Sequence, residues 1–339
     1  MEQEKLESKV EEIWKRQGFD LEKDGNRYKA GDIPVSVFSS ASYSPGEVES
    51  QVREDDRVFV DTGLAEMQER LGNQVSIIEE EEESGPEPPS FEIIGDIAMI
   101  NDLAGRDEDR SVEAILDHHP RIKTVLLKEE GLSGEFRVGD YRKLYGDETE
   151  TVHTEHGCSF RLDPTEVYYS ERFSTERQRV VDQIEEGEDV LVMFAGVGPF
   201  AVMAARNAEP DRVVAVEKNP EAARYLDENV EMNDVGDTVE AFEGDVADLV
   251  PEMGGFDRIV MPLPGSADRF LDLAVEHLNP GGTVHYYRFR DGEDWEPLEE
   301  EVRRAASKAG VELEVDDRVV CGQRGAYSYR VCLDLSVSR

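Results

Sequence analysis

The stretch Val190–Ala201, VLVMFAGVGPFA, decides the fold. Its first half is an apolar run of the kind that lies buried in a parallel sheet, and its second half is a glycine turn opening a helix. Gly196, Gly198 and Ala201 fit the spacing G-x-G-x-x-G/A, which lets a backbone approach a ligand closely. Taken alone, the turn admits a nicotinamide site, a methyl-donor site or a mere strand-to-helix connection.

Around this turn the pattern alternates strictly. STERQRVVDQI, PFAVMAARNA, PEAARYLDENVEMND and ADRFLDLAVEHL read as helices. EDVLVMFA, DRVVAVEKN, TVEAFEGDV, FDRIVMPLP and GTVHYYRF read as strands between them, which predicts a doubly wound parallel sheet of Rossmann-like type. A helix over 295–309 then leads to ELEVDDRVVC and YSYRVCLDLSV, two strands without an intervening helix, so the sheet is expected to end in an antiparallel hairpin. Upstream, FEIIGDIAMIND, a helix around 110–119, IKTVLLKEE, GEFRVGDY and TVHTEHGCSFRLD predict a smaller α+β domain. The expected boundaries are an N-terminal module over 1–78, an acidic, proline-containing linker over 79–90, the α+β domain over 91–170 and the large domain over 171–339. In the first of these, Leu6, Val10, Ile13 and Trp14 fall on one face of a helix over 2–17.

Composition narrows the partners. Lys and Arg number 37 against 78 Asp and Glu, a formal charge of −41, and only 10 of the 37 are Lys. The acidity is spread through foldable sequence rather than gathered in a tail, which favours a halophile, because molar salt screens self-repulsion to about 3 Å. Such a balance does not exclude nucleic acid, but any RNA site must be a local cluster of Arg. Cys158, Cys321 and Cys332 form no CxxC pair and predict neither a disulfide framework nor a zinc site. His153 and His156 stand three apart without a carboxylate-rich partner motif, and are read as structural. No apolar run approaches 18 residues and no signal peptide opens the chain, so a cytoplasmic protein, monomeric and without a membrane partner, is expected.

Context then favours the methyl donor. Glu217 closes the second strand, where an acid can bind ribose hydroxyls. Pro199 starts the first helix and removes a backbone donor that a pyrophosphate would use. Asp245, in EGDV after the third strand, stands where a carboxylate can accept from an adenine amine, and MPLPG closes the fourth strand with a rigid loop. A second three-strand half, which a dinucleotide site needs, is not visible.

YYSERFSTERQRV, VLVMFAGVGPFAV, VEKNPEAARYLDENVEMNDV, GDV and DRIVMPLPGSADRFLDLA, in that order, resemble the archaeal and eukaryotic tRNA (guanine-37 N1)-methyltransferases. The likeness covers about 91–339. It implies a class I methyltransferase fold, S-adenosyl-L-methionine as cofactor and the anticodon-loop guanosine 37 of tRNA as substrate. Guanine N1 carries a proton at neutral pH, so the reaction needs a base near N1 and a donor near O6. The resemblance places Glu176 as the base and Arg137 at O6. Read without it, Glu176 is an ordinary first-turn helix residue, with Ser174 or Thr175 as cap.

Arg172 and Arg177 flank Glu176, one expected on the cofactor's carboxylate and the other on RNA phosphate. Phe194, Gly196 and Gly198 are expected to shape the cofactor turn, Glu217 to bind ribose, Lys218 to lie beside the adenine, and Asp245 and Val246 to line its pocket. Pro262 and Pro264 form the loop after the fourth strand, and Tyr168 and Tyr169 are equally candidates for stacking on a flipped base or for the core. Two residues depart from the family pattern: Val192 replaces an Asp expected at a strand end, and Pro262 replaces an Asn. Two other readings stand beside methyl transfer. One is the related wyosine-pathway aminocarboxypropyl transfer from the same cofactor; the other is a non-catalytic RNA-binding homologue. Arg172 and Pro264 favour methyl transfer.

Overall fold

The computed structural model describes residues 21–24, 27–30, 33–35, 58–60, 75–77, 88–133, 138–325 and 327–337. The expected helix over 2–17, most of the 79–90 linker and Arg137 lie outside the described residues. The chain divides into two compact units, Met1–Glu87 and Pro88–Arg339. In the first, β1 (Leu21–Asp24), β2 (Arg27–Ala30) and β3 (Ile33–Val35) form an antiparallel sheet, and β4 (Val58–Val60) pairs parallel with β5 (Val75–Ile77).

The second unit opens with a four-stranded sheet of β6 (Phe91–Ile94), β7 (Ile97–Ile100), β8 (Thr124–Ser133) and β9 (Val138–Tyr145). Helix α1 (Glu108–His118) starts at Asp107, whose side chain accepts from Arg110 N, and packs Ile115 against Ala98, Ile100 and Val125. A separate hairpin follows, β10 (Thr151–Glu155) and β11 (Cys158–Leu162).

A turn of 3₁₀ helix at Glu171–Phe173 leads into α2 (Ser174–Val181). The elements of the large sheet then alternate as expected: β12 (Asp189–Met193), α3 (Pro199–Asn207), β13 (Arg212–Glu217), α4 (Pro220–Met232), β14 (Val239–Glu243), α5 (Val246–Leu249), β15 (Phe256–Met261), α6 (Leu271–Glu276), β16 (Leu278–Asp291), α7 (Glu296–Ala309), β17 (Leu313–Gly325) and β18 (Ser328–Val337). The sheet order is β14-β13-β12-β15-β16-β18-β17, with β18 antiparallel to both neighbours. The hairpin expected at the C-terminus is therefore present, inserted so that its second strand lies inside.

Strand alternation splits the core into two layers. Val190, Val192, Ala215, Val260, Tyr287 and Cys332 face α2, α3 and α4, whereas Leu191, Met193, Val214, Ile259, Tyr286 and Leu333 face α5, α6 and α7. Strands β12 and β15 are neighbours whose chains continue in opposite directions across the sheet. The crevice at their carboxyl ends is where open α/β sheets bind ligands. Among the described residues no helix is long and apolar enough to cross a membrane.

Candidate active site

The glycine turn is built mostly from backbone. After β12, Phe194 takes φ +57°, a left-handed conformation uncommon for a side chain of that size, and its ring lies 5.1 Å from that of Phe270. Gly198 caps α3 at φ +91° with Pro199 in the first turn, as the sequence predicts. A Cβ at Gly198 would come within 2.5 Å of Leu226 Cδ1, so glycine lets the turn pack closely on the Leu226 side chain of α4. At Gly196, φ +59°, an added Cβ would meet no atom within 4 Å. One glycine closes the turn against the protein, and the other leaves an open side.

Glu217 holds the turn in place. Its Oε2 accepts from Gly196 N at 2.7 Å and its Oε1 from Asn219 N at 2.7 Å. Burial pushes this carboxyl up, and the backbone donors of Asn219, Gly196 and Lys218 oppose that rise. Lys218 Nζ lies 3.0 Å from Asp245 Oδ2, while Asp245 Oδ1 accepts from Ala247 N and caps α5. The Ala247 N–H and Lys218 together hold the Asp245 carboxyl below the usual range. Val246 is buried at the start of α5. Pro262 and Pro264 follow β15; Leu263 N donates to Met261 O, and Pro264 O accepts from Arg288 Nη1. These residues share one edge of the sheet, the edge at which the strands end.

Asn229, which sequence reading passed over, pins this edge. Fully buried on α4, it donates from Nδ2 to Val197 O at 2.9 Å and to Arg161 O at 3.1 Å, and accepts from Arg161 N at 2.7 Å. A single amide so fastens hairpin β10–β11 to the middle of the glycine turn. Its only sequence signal is the pair Asn229 and Asn233, one helical turn apart; Asn233 clamps Ser159 in the same way.

Helix α2 buries two charged residues in its first turn, Glu176 and Arg177. Phe173 stands at its N-cap without a side-chain capping bond, so the expected Ser174 or Thr175 cap is not formed; Ser174 serves instead as a hydrogen-bond partner of Glu155. Arg177 is committed to Glu155 through two bonds, Nε to Oε1 at 2.5 Å and Nη2 to Oε2 at 2.6 Å, with Tyr169 and Ser170 O around it. Arg172 is exposed and pairs with Glu92 at 2.6 Å. Tyr169 is packed against the core, with its hydroxyl pushed up by burial, and His153 stacks near it, held low by burial. Cys158 and Cys332 are buried and Cys321 half-buried, all as free thiols.

Glu176 belongs to a buried chain of charges that sequence reading did not anticipate. Arg179 donates Nη2 to Glu176 Oε1 and Nε to Oε2, each at 2.8 Å, and Tyr287 OH donates to Oε1 at 2.7 Å. Arg179 also donates to both oxygens of Asp334 on β18, at 2.6 and 3.1 Å. His285 Nδ1 lies 2.7 Å from Asp334 Oδ1, and its Nε2 lies 2.8 Å from Arg258 Nη1. A guanidinium can only donate, so Nε2 accepts and the imidazole proton sits on Nδ1, directed at Asp334. Arg258 in turn grips both oxygens of Glu188. His285, Cys332 and Asp334 place ligand-type atoms within 4.8 Å of one another, but Arg258 and Arg179 already use the lone pairs of His285 and Asp334.

Val192, one residue before the end of β12, is fully buried in this layer and paired with Ala215 and Val260. Its row continues through His285 to Asp334, so the polar groups of that row stand two strands further along.

Comparison with known proteins agrees with this architecture. Residues 151–314 match the TRM5/TYW2 methyltransferase domain and residues 68–149 the TYW2 N-terminal domain. The tRNA (guanine(37)-N(1))-methyltransferase Trm5b of Pyrococcus abyssi is 38% identical over 256 residues, 74% of this chain and 76% of that one. Its crystal structure superposes with a TM-score of 0.66 over the same shares of the two chains. The tRNA(Phe) (4-demethylwyosine(37)-C(7)) aminocarboxypropyltransferase of Methanocaldococcus jannaschii is 33% identical over 197 residues, 58% of this chain and 77% of that one. The structure of M. jannaschii TYW2 in complex with AdoMet is 27% identical, with a TM-score of 0.60, and covers 74% of this chain and all of that one. The chain belongs to the TRM5/TYW2 family of S-adenosylmethionine-dependent methyltransferases.

Proposed function

We propose that this enzyme methylates N1 of guanosine 37 in tRNA, with Glu176 taking the N1 proton and Arg137 opposing the charge that develops on O6. Bound S-adenosylmethionine supplies an electrophilic methyl group on a sulfonium. The residues fitted to hold it are Phe194, Gly196, Gly198, Glu217, Lys218, Asp245, Val246, Pro262 and Pro264. The fit rests on the open side of Gly196 and on the Glu217 carboxylate turned to the same backbone. Arg172 is exposed and would have to exchange its Glu92 partner for an RNA phosphate, whereas Arg177 acts through Glu155 to fix the start of α2.

The observation that carries the reading is the setting of Glu176. A carboxylate this deeply buried persists because Arg179 and Tyr287 donate to it. Arg179 engages both carboxylate oxygens, Tyr287 OH adds a bond to Oε1 and the Cys321 thiol a further one, and this carboxylate is the group assigned to receive the proton. Arg179 pairs with Glu176 and with Asp334 at once, which fixes the orientation of the carboxylate.

Incubating the protein with S-adenosylmethionine and a guanosine-37 tRNA transcript at high KCl, then digesting the RNA, should yield 1-methylguanosine; replacing guanosine 37 should abolish it. A second reading, transfer of the cofactor's aminocarboxypropyl group, is favoured by the match of residues 68–149 to the TYW2 N-terminal domain and by the M. jannaschii relative. The same digest on tRNA carrying 4-demethylwyosine at position 37, the base in that relative's name, decides between them, because that adduct is far heavier than one methyl group.

A further inference from the structure

In a chain of net charge −41, an arginine held by an aromatic ring rather than by a carboxylate keeps its charge for an outside anion. Arg258, Arg288 and Arg179 on or beside the large sheet are neutralised by Glu188, Glu301 and Asp334. Arg324 and Arg330, on the C-terminal hairpin, contact no carboxylate among the described residues. Each is seated on an aromatic ring instead. The guanidinium carbon of Arg330 lies 4.7 Å from the centre of the Phe173 ring, and its Nη2 donates to Tyr168 OH at 2.9 Å. That of Arg324 lies 4.5 Å from the centre of the Phe289 ring. Phe289 and Arg330 are directly paired across β16 and β18, so both arginines lie on the face of the sheet that carries α2.

The same face leads to the candidate base. Tyr287, two residues before Phe289, packs its ring 5.3 Å from Phe173 and donates its hydroxyl to Glu176. Phe173 therefore touches both Arg330 and the Tyr287 that holds the carboxylate, which links the arginine to the candidate base through two rings. Arg324 and Tyr327 are exposed where the hairpin turns, and the hairpin turns at the carboxyl edge of β16, beside the cofactor crevice.

We propose that Arg324 and Arg330, on Phe289 and Phe173, form a platform that binds the nucleotides flanking the target guanosine. The inference rests on tRNA being the substrate. An aromatic underside fixes a guanidinium without neutralising it, so its charge stays available to phosphate and its plane to an unstacked base. In so acidic a protein a local reversal of sign selects a polyanion and repels other partners. Single-stranded loop RNA presents both phosphates and open base faces, which duplex RNA does not.

Arg324→Gln, Arg330→Gln and the double variant test this against an anticodon stem-loop RNA. RNA affinity is measured by fluorescence anisotropy over a range of KCl concentrations, S-adenosylmethionine affinity by calorimetry, and KM for tRNA in the methyl-transfer assay. Each single variant should weaken RNA binding about tenfold and lower the slope of log affinity against log salt by about 1, with cofactor affinity unchanged. Arg→Lys variants should restore the slope where phosphate is the contact and fail to restore affinity where a base is. Unchanged RNA affinity and slope in the double variant overturn the platform, and Arg324→Gln, at an exposed turn, secures a folded protein for that comparison. If the stem-loop binds in an arginine-dependent way but no modified guanosine forms, the proposed reaction fails and the platform stands. If 1-methylguanosine forms with unchanged KM in the double variant, the platform fails and the reaction stands.

Discussion

The two halves of the large sheet make their sites by opposite means. On β12, β13 and β14 the ligand edge is backbone: a left-handed Phe194, two glycines and amide groups gathered by Glu217 and Asn229. On β15, β16 and β18 the face under α2 carries side chains instead: Glu176 and Arg179 of the helix, then Asp334, His285, Arg258 and Glu188, joined end to end toward the amino end of β12. The first design suits a ligand that is recognised by close approach and a few fixed hydrogen bonds. The second suits a group that must hold charge while out of water, since each buried ion is stabilised only by its neighbours. A backbone site fails locally when one residue is altered, whereas a charge chain transmits the loss along its length.

The sharpest test of the second half is Glu176→Gln, which keeps the shape and removes the charge. Methyl transfer should fall by about 10²–10⁴-fold, the usual contribution of a general base, while calorimetry finds S-adenosylmethionine affinity unchanged. Activity near that of the unaltered enzyme would remove Glu176 as the base and leave the chain of charges a purely structural device.

Asp334→Asn tests transmission. It takes one charge from between Arg179 and His285, and leaving a buried pair half-made costs about 3–5 kcal/mol, read by chemical denaturation. The pH dependence has a determined sign. Burial would raise the Asp334 carboxyl, but His285 and Arg179 hold it far below the ordinary range; its stabilisation is present above the unfolded value near 3.9 and is lost as pH falls through the folded one. His285 is held low by burial, with Asp334 opposing and Arg258 and Arg179 assisting. The unfolded chain therefore binds its proton below about pH 6.5 while the folded chain does not, and stability falls as pH drops through that value. The slope is at most about 1.4 kcal/mol per pH unit for this group. His285→Gln should flatten it in part, because His153, also depressed by burial, contributes with the same sign. A slope between pH 7 and 5.5 that His285→Gln leaves unaltered would show that His285 does not titrate between the folded and unfolded chain.

The contrast between the halves also explains what could be read from sequence. Gly196, Gly198, Pro199 and Glu217 lie within one strand–helix–strand window, and their spacing is a property of neighbouring residues. Arg179 stands three residues beyond Glu176, but Tyr287 on β16, which also holds Glu176, and Asp334 on β18, which anchors Arg179, are more than 100 residues away, and no local pattern marks them. Asp334 sits in CLDLSV as an isolated acid in an apolar strand, the sole hint that a buried charge needed a partner. Arg177 misled in another way: beside the base it reads as a ligand contact, yet Glu155, in a hairpin that looked merely structural, takes its guanidinium. Asn229 went unmarked for the same reason, since its acceptor Val197 O is visible only once α4 lies over the turn.

The smallest expected effect separates packing from binding within the backbone half. Gly198→Ala carries the left-handed strain of φ +91° and also sets a methyl group 2.5 Å from Leu226 Cδ1, so the buried Leu226 side chain must move as well, at a cost of about 1–3 kcal/mol in stability. Gly196→Ala meets open space and suffers only the left-handed backbone strain of about 1–2 kcal/mol. If the open side of Gly196 receives the cofactor, however, its new methyl group occupies the ligand's place. Denaturation should then rank Gly198→Ala as the less stable variant, and calorimetry should rank Gly196→Ala as the weaker binder of S-adenosylmethionine. Equal cofactor affinity in Gly196→Ala and the unaltered protein would place the cofactor away from this backbone. It would shift the weight of binding to Lys218, Asp245 and the loop of Pro262 and Pro264.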